Sequence, residues 1–435
     1  MENVTIGFIG LGAGIVLLLL RVQIGVALGL VSFIGIAVLL NMRAAWGIIT
    51  AIPFNFVGDW NLTAIPMFLL MGFIASEAGL SSGLFRTMRM LLSWLPGGLA
   101  VASVGASAVL AAASGSSVAT SSAFARIATP EMLRYRYDPG LATGVIAAAG
   151  TLGSLIPPSI LMVLYGIFAE TSIVDLLIAG IIPGLLTAGV YTAMILIRCK
   201  INPELAPRIH EEKSAEEIRR ERWQSLGEIW PLFILVFGII GGLYGGVVTP
   251  TEAAVVAVVY ALLVGAVIYR ELPLSAIPRI LRSSAVTSAI VLSIIAAAGL
   301  YGRIILQLQV PAVISDFVVG AIQSPWLFII LVNVLLLLVG MFLEAAAAIL
   351  IFTPILLPIA TTFGFDPVHF GVIMVVNLAM GMFTPPVGLN LFIASGIARI
   401  GVPQIARGVV PFVVILLVDL LIISFLPWLS LVFTQ

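Results

Sequence analysis

The stretch Thr151-Leu-Gly-Ser-Leu-Ile-Pro-Pro158 lies in apolar sequence, and a related one, Met380-Gly-Met-Phe-Thr-Pro-Pro386, follows it with the double prolines 228 residues apart. Proline lacks an N–H and its ring clashes with the preceding turn, so a double proline breaks any helix it interrupts. Lipid tolerates broken backbone only where protein buries it or where it lines a cavity. Matched interruptions in two hydrophobic segments point to the binding site of a secondary transporter.

Composition fixes the surroundings of these breaks. Of 435 residues, 61% are hydrophobic and 9% charged, with a mean hydropathy of +1.22. Soluble domains carry about 25% charged residues, so this chain is an integral membrane protein. Some apolar stretches approach the roughly 20 residues that cross a bilayer and others fall short, which predicts about ten to twelve passes and two re-entrant hairpins. Residues 1–20 have no basic start and no small-residue cleavage site, so the first helix is expected to stay as an anchor. Cys199 is the single cysteine and forms no intramolecular disulfide. Zero formal net charge argues against nucleic acid as a partner.

At the same offset the halves agree at other punctuation points. Asp138-Pro139 matches Asp366-Pro367, Gly153 matches Gly381, Leu161 matches Leu389, Gly180 matches Gly408 and Pro183 matches Pro411. Glycine and proline dictate backbone geometry, so bends recur and not hydrophobicity alone. Two units are expected, 1–207 and 229–435. Charge gives their orientation. The polar loop 199–228 carries Lys200, Arg208, Lys213, Arg219, Arg220 and Arg222, which makes it cytoplasmic by the positive-inside rule. In the first unit Arg126, Arg134 and Arg136 precede the broken segment. In the second, Arg399 and Arg407 follow it, and no Lys or Arg occurs between Arg303 and Arg399. Equivalent loops of opposite bias predict an inverted-topology repeat. The fold class expected is an all-α polytopic membrane protein with two re-entrant helical hairpins and two discontinuous helices, the architecture of elevator-type ion transporters. Its divisions are scaffold helices and arm (1–95), a first transport repeat (96–198), a cytoplasmic linker (199–228), a second scaffold segment (229–310) and a second transport repeat (311–435).

Each double proline removes helical donors. Pro157 and Pro158 free the carbonyls of Gly153 and Ser154, and Pro385 and Pro386 free those of Gly381 and Met382. Carbonyl oxygens at an unwound helix ligate small hard cations, Na⁺ above all. Thr151, Ser154 and Thr384 add hydroxyls. A kink satisfied by neighbouring helices is the ordinary alternative, and recurrence at both sites favours ions. Upstream of each break lies a hairpin tip. In the first, Ala113 to Ser122, Gly115 permits a tight reversal and a serine caps the returning helix. The second is Gly340 to Ala345, where Glu344 is isolated in apolar sequence and reads as a cation ligand or as an organiser of the tip. Asp138-Pro139, Asp366-Pro367 and Thr249-Pro-Thr-Glu252 read as helix starts, the last as a capping box. Arg303 and Asp419 stand in apolar stretches; Arg303 is expected to snorkel to an interface. The run Glu211 to Arg222 reads as a solvated helix.

Enzyme readings find little support. His210 and His369 are the two histidines, too far apart in sequence for a metal cluster, and neither a P-loop nor a Gly-x-Ser-x-Gly elbow occurs.

The runs Gly115-Ser-Ser-Val-Ala-Thr120, Gly150-Thr-Leu-Gly-Ser-Leu-Ile-Pro-Pro-Ser159, Ala179-Gly-Ile-Ile-Pro-Gly184, Thr249-Pro-Thr-Glu-Ala-Ala254 and Phe383-Thr-Pro-Pro-Val-Gly388 resemble the large membrane (M) subunit of tripartite ATP-independent periplasmic (TRAP) transporters. The resemblance implies a Na⁺-driven elevator symporter in a bacterial or archaeal cytoplasmic inner membrane. It implies an organic-acid cargo (a C4-dicarboxylate, sialic acid or similar carboxylate) delivered by a periplasmic substrate-binding protein of P type. A small four-helix membrane subunit of Q type is the other implied partner. Na⁺ is the coupling ion, with no organic cofactor and no transition metal. Carried over by motif, the first ion site comprises Ser114, Gly115, Ser116, Ser117, Gly150, Thr151, Gly153 and Ser154. The second comprises Gly340, Phe342, Glu344, Gly381, Met382 and Thr384. Substrate is expected at Ser117, Thr120, Pro158, Thr384 and Asn390. The rival closest to this reading is a self-sufficient Na⁺/dicarboxylate symporter; a channel and an intramembrane enzyme are more distant.

Overall fold

Residues 2–20, 22–207 and 215–434 are described by the computed structural model, which is helical throughout, with no strand among the described residues. Among the described residues, six helical segments are long and apolar enough to cross a membrane, including Ile173–Ile201, Leu274–Gln307 and Val402–Phe425. Eight further apolar helices run to 10–17 residues. Large apolar side chains such as Trp46, Phe54, Phe237 and Phe317 are exposed on the outer helices, as a lipid-facing surface requires. His210 and residues 211–214 lie outside the described residues. Helices extend into the span 199–228 expected as linker. Ile181–Ile201 enters it from one side, and Ala215–Tyr244 begins well before its end.

The centre of the fold is made of two hairpins and two interrupted helices. The first hairpin pairs Gly98–Ser114 with Ser117–Arg134. Gly115 turns it with φ +61, a left-handed conformation suited to glycine. A methyl group there would come within 2.5 Å of the Pro158 carbonyl oxygen. Ser116 caps the returning arm, its hydroxyl accepting the Ala119 N–H at 3.4 Å. The second hairpin pairs Pro325–Gly340 with Ala345–Thr362, and Glu344 is the cap of its returning arm.

Each hairpin is followed by a helix that stops and restarts. The first runs Pro139–Ala149, tightens to a 3₁₀ turn over Gly150–Ser154, bends through a cis Pro157-Pro158 bond and resumes at Ile160–Phe168. The second runs Pro367–Gly381, bends through a cis Pro385-Pro386 bond and resumes at Leu389–Ala398. Both begin as expected, with Asp138 accepting the Leu141 N–H and Asp366 accepting those of Val368 and His369. The Thr249–Glu252 capping box also forms.

The halves are interleaved. The returning arm of the first hairpin packs on Leu389–Ala398 of the second interrupted helix. Reciprocally, the returning arm of the second hairpin packs on Ile160–Phe168 of the first. Pro139–Ala149 also lies against Val402–Phe425 so closely that a methyl on Gly408 would stand 2.0 Å from the Gly140 carbonyl oxygen. Small residues permit that backbone contact. The long helix Ile277–Gln307 flanks this core and contacts Ala64–Glu77 and the returning arm of the second hairpin.

Candidate transport site

The hydroxyl groups of the first tip are bonded to one another and to the break beside them. Ser117 Oγ lies 2.5 Å from Ser154 Oγ, and Ser114 Oγ lies 2.8 Å from Thr120 Oγ1. All four residues are buried. Gly153 lets the two elements touch, since a methyl there would come within 2.7 Å of the Ser116 carbonyl group. Gly150 plays the same part against Ser121. Thr151 turns away, donating to the Ala148 carbonyl at 2.6 Å and standing 3.5 Å from the Tyr191 hydroxyl.

The second site repeats this plan. A methyl on Gly381 would lie 2.4 Å from the Gly340 carbonyl carbon, so break and tip again meet backbone to backbone. The stitching is repeated as well. The Ile160 N–H donates to the Gly115 carbonyl at 3.2 Å, and the Gly388 N–H donates to the Met341 carbonyl at 3.3 Å. Positions 160 and 388 are themselves equivalent at the 228-residue offset. Each tip is thus tied to the restart of its own broken helix.

The four carbonyls expected to be bare are not equally so. Gly153 receives no hydrogen bond among the described residues. The Ser154 carbonyl accepts the Ser159 hydroxyl at 2.5 Å, Gly381 accepts the Thr384 N–H at 3.2 Å and Met382 accepts the Asn390 N–H at 2.8 Å. Local polar groups replace the donors that proline removes. A carbonyl oxygen has two lone pairs, so each bonded one keeps a second for a ligand. Glu344 caps the returning arm of its tip, its Oε2 accepting the Ala347 N–H at 3.3 Å.

Both tips border one cavity of about 730 Å³. Ser114 to Ser117, Ser154, Glu344 and Met382 lie on its wall. The opposite wall comes from Ala64–Glu77 and Ile277–Gln307, through Ser76, Ser283 and Thr287. Among the expected substrate residues, Ser117 borders this space. Thr120, Pro158, Thr384 and Asn390 are buried behind it: Thr384 donates to the Met380 carbonyl at 2.7 Å, and Asn390 donates to the Ala147 carbonyl at 3.3 Å. Phe342 is about half exposed. Asp419 is fully buried between membrane helices, where its Oδ2 accepts the Thr187 hydroxyl at 2.6 Å. Arg303 is exposed. No group of three or more metal-ligating side chains occurs among the described residues.

This pairing of two hairpin tips with two broken helices coincides with a family match. The model of the tripartite ATP-independent periplasmic transporter DctM component covers residues 11–429. The chain belongs to this family of TRAP large permeases. It is 40% identical over 373 residues to the C4-dicarboxylate TRAP transporter large permease protein DctM of Pseudomonas aeruginosa, covering 86% of each chain. It is 37% identical over 414 residues to the isethionate TRAP transporter permease protein DctMQ of Oleidesulfovibrio alaskensis, covering 94% of this chain and 64% of that longer one. Among solved structures, the YdaH transporter of Alcanivorax borkumensis superposes with a TM-score of 0.59 over 89% of both chains at 16% identity, a likeness of fold. The TRAP permease is therefore a multi-pass membrane protein of transporter fold.

Proposed function

We propose that this TRAP permease is the membrane-spanning subunit of a sodium-coupled importer of an organic acid. The observation that carries the reading is the convergence of two hairpin tips, each stitched to its own interrupted helix, on a single hydroxyl-lined cavity. Sodium is cargo here. At the first site the Gly153 and Ser154 carbonyls and the Ser114 and Ser117 hydroxyls are the oxygen donors; at the second they are the Gly381 and Met382 carbonyls with Thr384. Hard cations take such oxygen sets, and unwound backbone in a membrane suits them. Bound sodium orders the tips, and the ordered tips then hold an organic anion on the cavity side.

The two repeats have inverted topology in this reading, and both hairpins are re-entrant. The core of hairpins and broken helices moves as a unit against the flanking helices, exposing the cavity to one side of the membrane at a time. A periplasmic binding protein delivers the acid, and a small four-helix subunit completes the membrane complex. The names of the relatives support an organic-acid cargo and a small-subunit partner, because one is a C4-dicarboxylate permease and another is named as a joined DctMQ protein. The cytoplasmic membrane of a bacterium is the expected setting.

The decisive experiment places the permease with its companion subunit and binding protein in liposomes and follows uptake of labelled organic acids. Uptake is expected under an inward sodium gradient and is lost when that gradient is collapsed. Uptake indifferent to sodium overturns the coupling, and uptake without any binding protein transfers the reading to a self-sufficient symporter.

A further inference from the structure

Four charged side chains border the cavity: Glu77, Arg126, Arg279 and Glu344. Three are already engaged. Arg279 Nη2 and Glu77 Oε2 form an ion pair at 2.6 Å across the flanking helices. Glu344 caps the returning arm of the second hairpin. Arg126 has no ion-pair partner among the described residues and is exposed to the cavity. Among the described residues, Arg126 is therefore the charged side chain on the wall that is left without a protein partner.

Its position is fixed by the helix that bears it. Residues 118, 119, 122, 123, 126 and 127 of the arm Ser117–Arg134 all border the cavity. This spacing lays one helix face along the cavity, beginning at the hydroxyl-rich tip and passing small residues to Arg126. Ser117 and Arg126 are separated by a rise of about 13 Å along the helix. Helical side chains lean towards the helix N-terminus, so the guanidinium end of Arg126 inclines towards the tip and shortens that span. Ser283 and Thr287 border the same cavity from the flanking helix, whose charged residue there, Arg279, is already paired with Glu77.

We propose that Arg126 is a specificity-determining residue that selects cargo with a second anionic group. One acidic head sits at the hydroxyls of Ser116 and Ser117. The other is met by the planar fork of the Arg126 guanidinium, which suits carboxylate and sulfonate oxygens alike. A mono-anion held at the tip leaves the guanidinium unused and gains nothing from it. This inference rests on the organic-acid reading above but concerns only how the cavity discriminates among acids.

The test measures sodium-dependent binding to the purified full-length permease in lipid nanodiscs at about pH 8, where both carboxyls of succinate are ionised. The probes are succinate and succinamate, which replaces one carboxylate with a neutral amide of the same shape. Wild type is expected to bind succinate about tenfold more tightly, the scale of one charge-assisted hydrogen bond. In Arg126→Gln the two probes should bind within about twofold of each other, and Arg126→Lys, which keeps the charge but not the fork, should recover only part of the difference. Full discrimination in Arg126→Gln overturns the proposal, as does equal binding of both probes by wild type. Binding of neither probe by a permease that still imports another organic acid with sodium also overturns it and leaves the transport reading intact. Absence of sodium-driven uptake of any organic acid is the separate failure of that reading.

Discussion

Gly153 and Gly381 show how much a single hydrogen in place of a methyl decides. Each lets a broken helix touch the backbone of a hairpin tip, at 2.7 Å from the Ser116 carbonyl group and 2.4 Å from the Gly340 carbonyl carbon for a methyl built there. Neither neighbour is a flexible side chain, so alanine must push the tip away from its oxygens. Gly153→Ala and Gly381→Ala are expected to lower sodium-dependent uptake at least about tenfold, since a misplacement near 1 Å at a binding constellation costs on that scale or more. Gly189→Ala, with nothing within 4 Å of the added methyl, is the neutral comparison. Equal uptake in all three would remove the tip contacts from the mechanism. Ser117 and Ser154 share one hydrogen bond, so their alanine variants should be non-additive: the double change should cost little more than either single one, read as sodium affinity. These residues were legible because glycine, serine and proline in apolar sequence have few other uses. Ser76, Ser283, Thr287 and Arg126 were not. They come from separate helices and meet only through tertiary packing, and Arg126 read in sequence solely as a marker of orientation.

The hairpins and interrupted helices are short elements whose ends carry much of their definition. Ser116, Asp138, Glu344 and Asp366 each accept a backbone N–H that the first turn of a helix leaves without a partner. Asp138→Ala and Asp366→Ala should each cost about 1 kcal/mol of stability, whereas Ser116→Gly should cost only a few tenths. Thermal unfolding in detergent would measure these, and a larger loss at Ser116 than at the aspartates would contradict the ranking. The elements themselves were readable from punctuation: the Asp-Pro starts, the double-proline breaks and the Gly115 reversal all stand where the sequence placed them. The fate of the freed carbonyls was not readable. Ser159 and Asn390 supply replacement donors by folding back, and nothing in a one-dimensional pattern announces that return. The solvated helix expected over Glu211 to Arg222 continues without a break into the membrane helix as Ala215–Tyr244, and that continuity was not readable. The first turns of this helix are charged and carry no apolar periodicity on which a membrane helix could be recognised.

At the scale of the molecule, ligands that bind only the folded permease must stabilise it. Sodium at about a hundred times its dissociation constant should add about 2.7 kcal/mol per site relative to choline at equal ionic strength. A melting curve that does not distinguish the two salts would speak against sodium sites in this chain. Linkage adds a second requirement. If sodium tightens binding of the organic acid by some factor, the acid must tighten sodium by the same factor, and calorimetry in both directions measures the two. Unequal factors would mean that the two ligands are not reporting on the same equilibrium.

The interleaved packing bears on the sodium loading proposed above. Each returning arm leans on the far half of the opposite repeat, through Leu389–Ala398 on one side and Ile160–Phe168 on the other. Ordering of one reversal is therefore expected to favour ordering of the other. A sodium titration should accordingly rise as one steep sigmoid, with filling of the first berth sharpening the second.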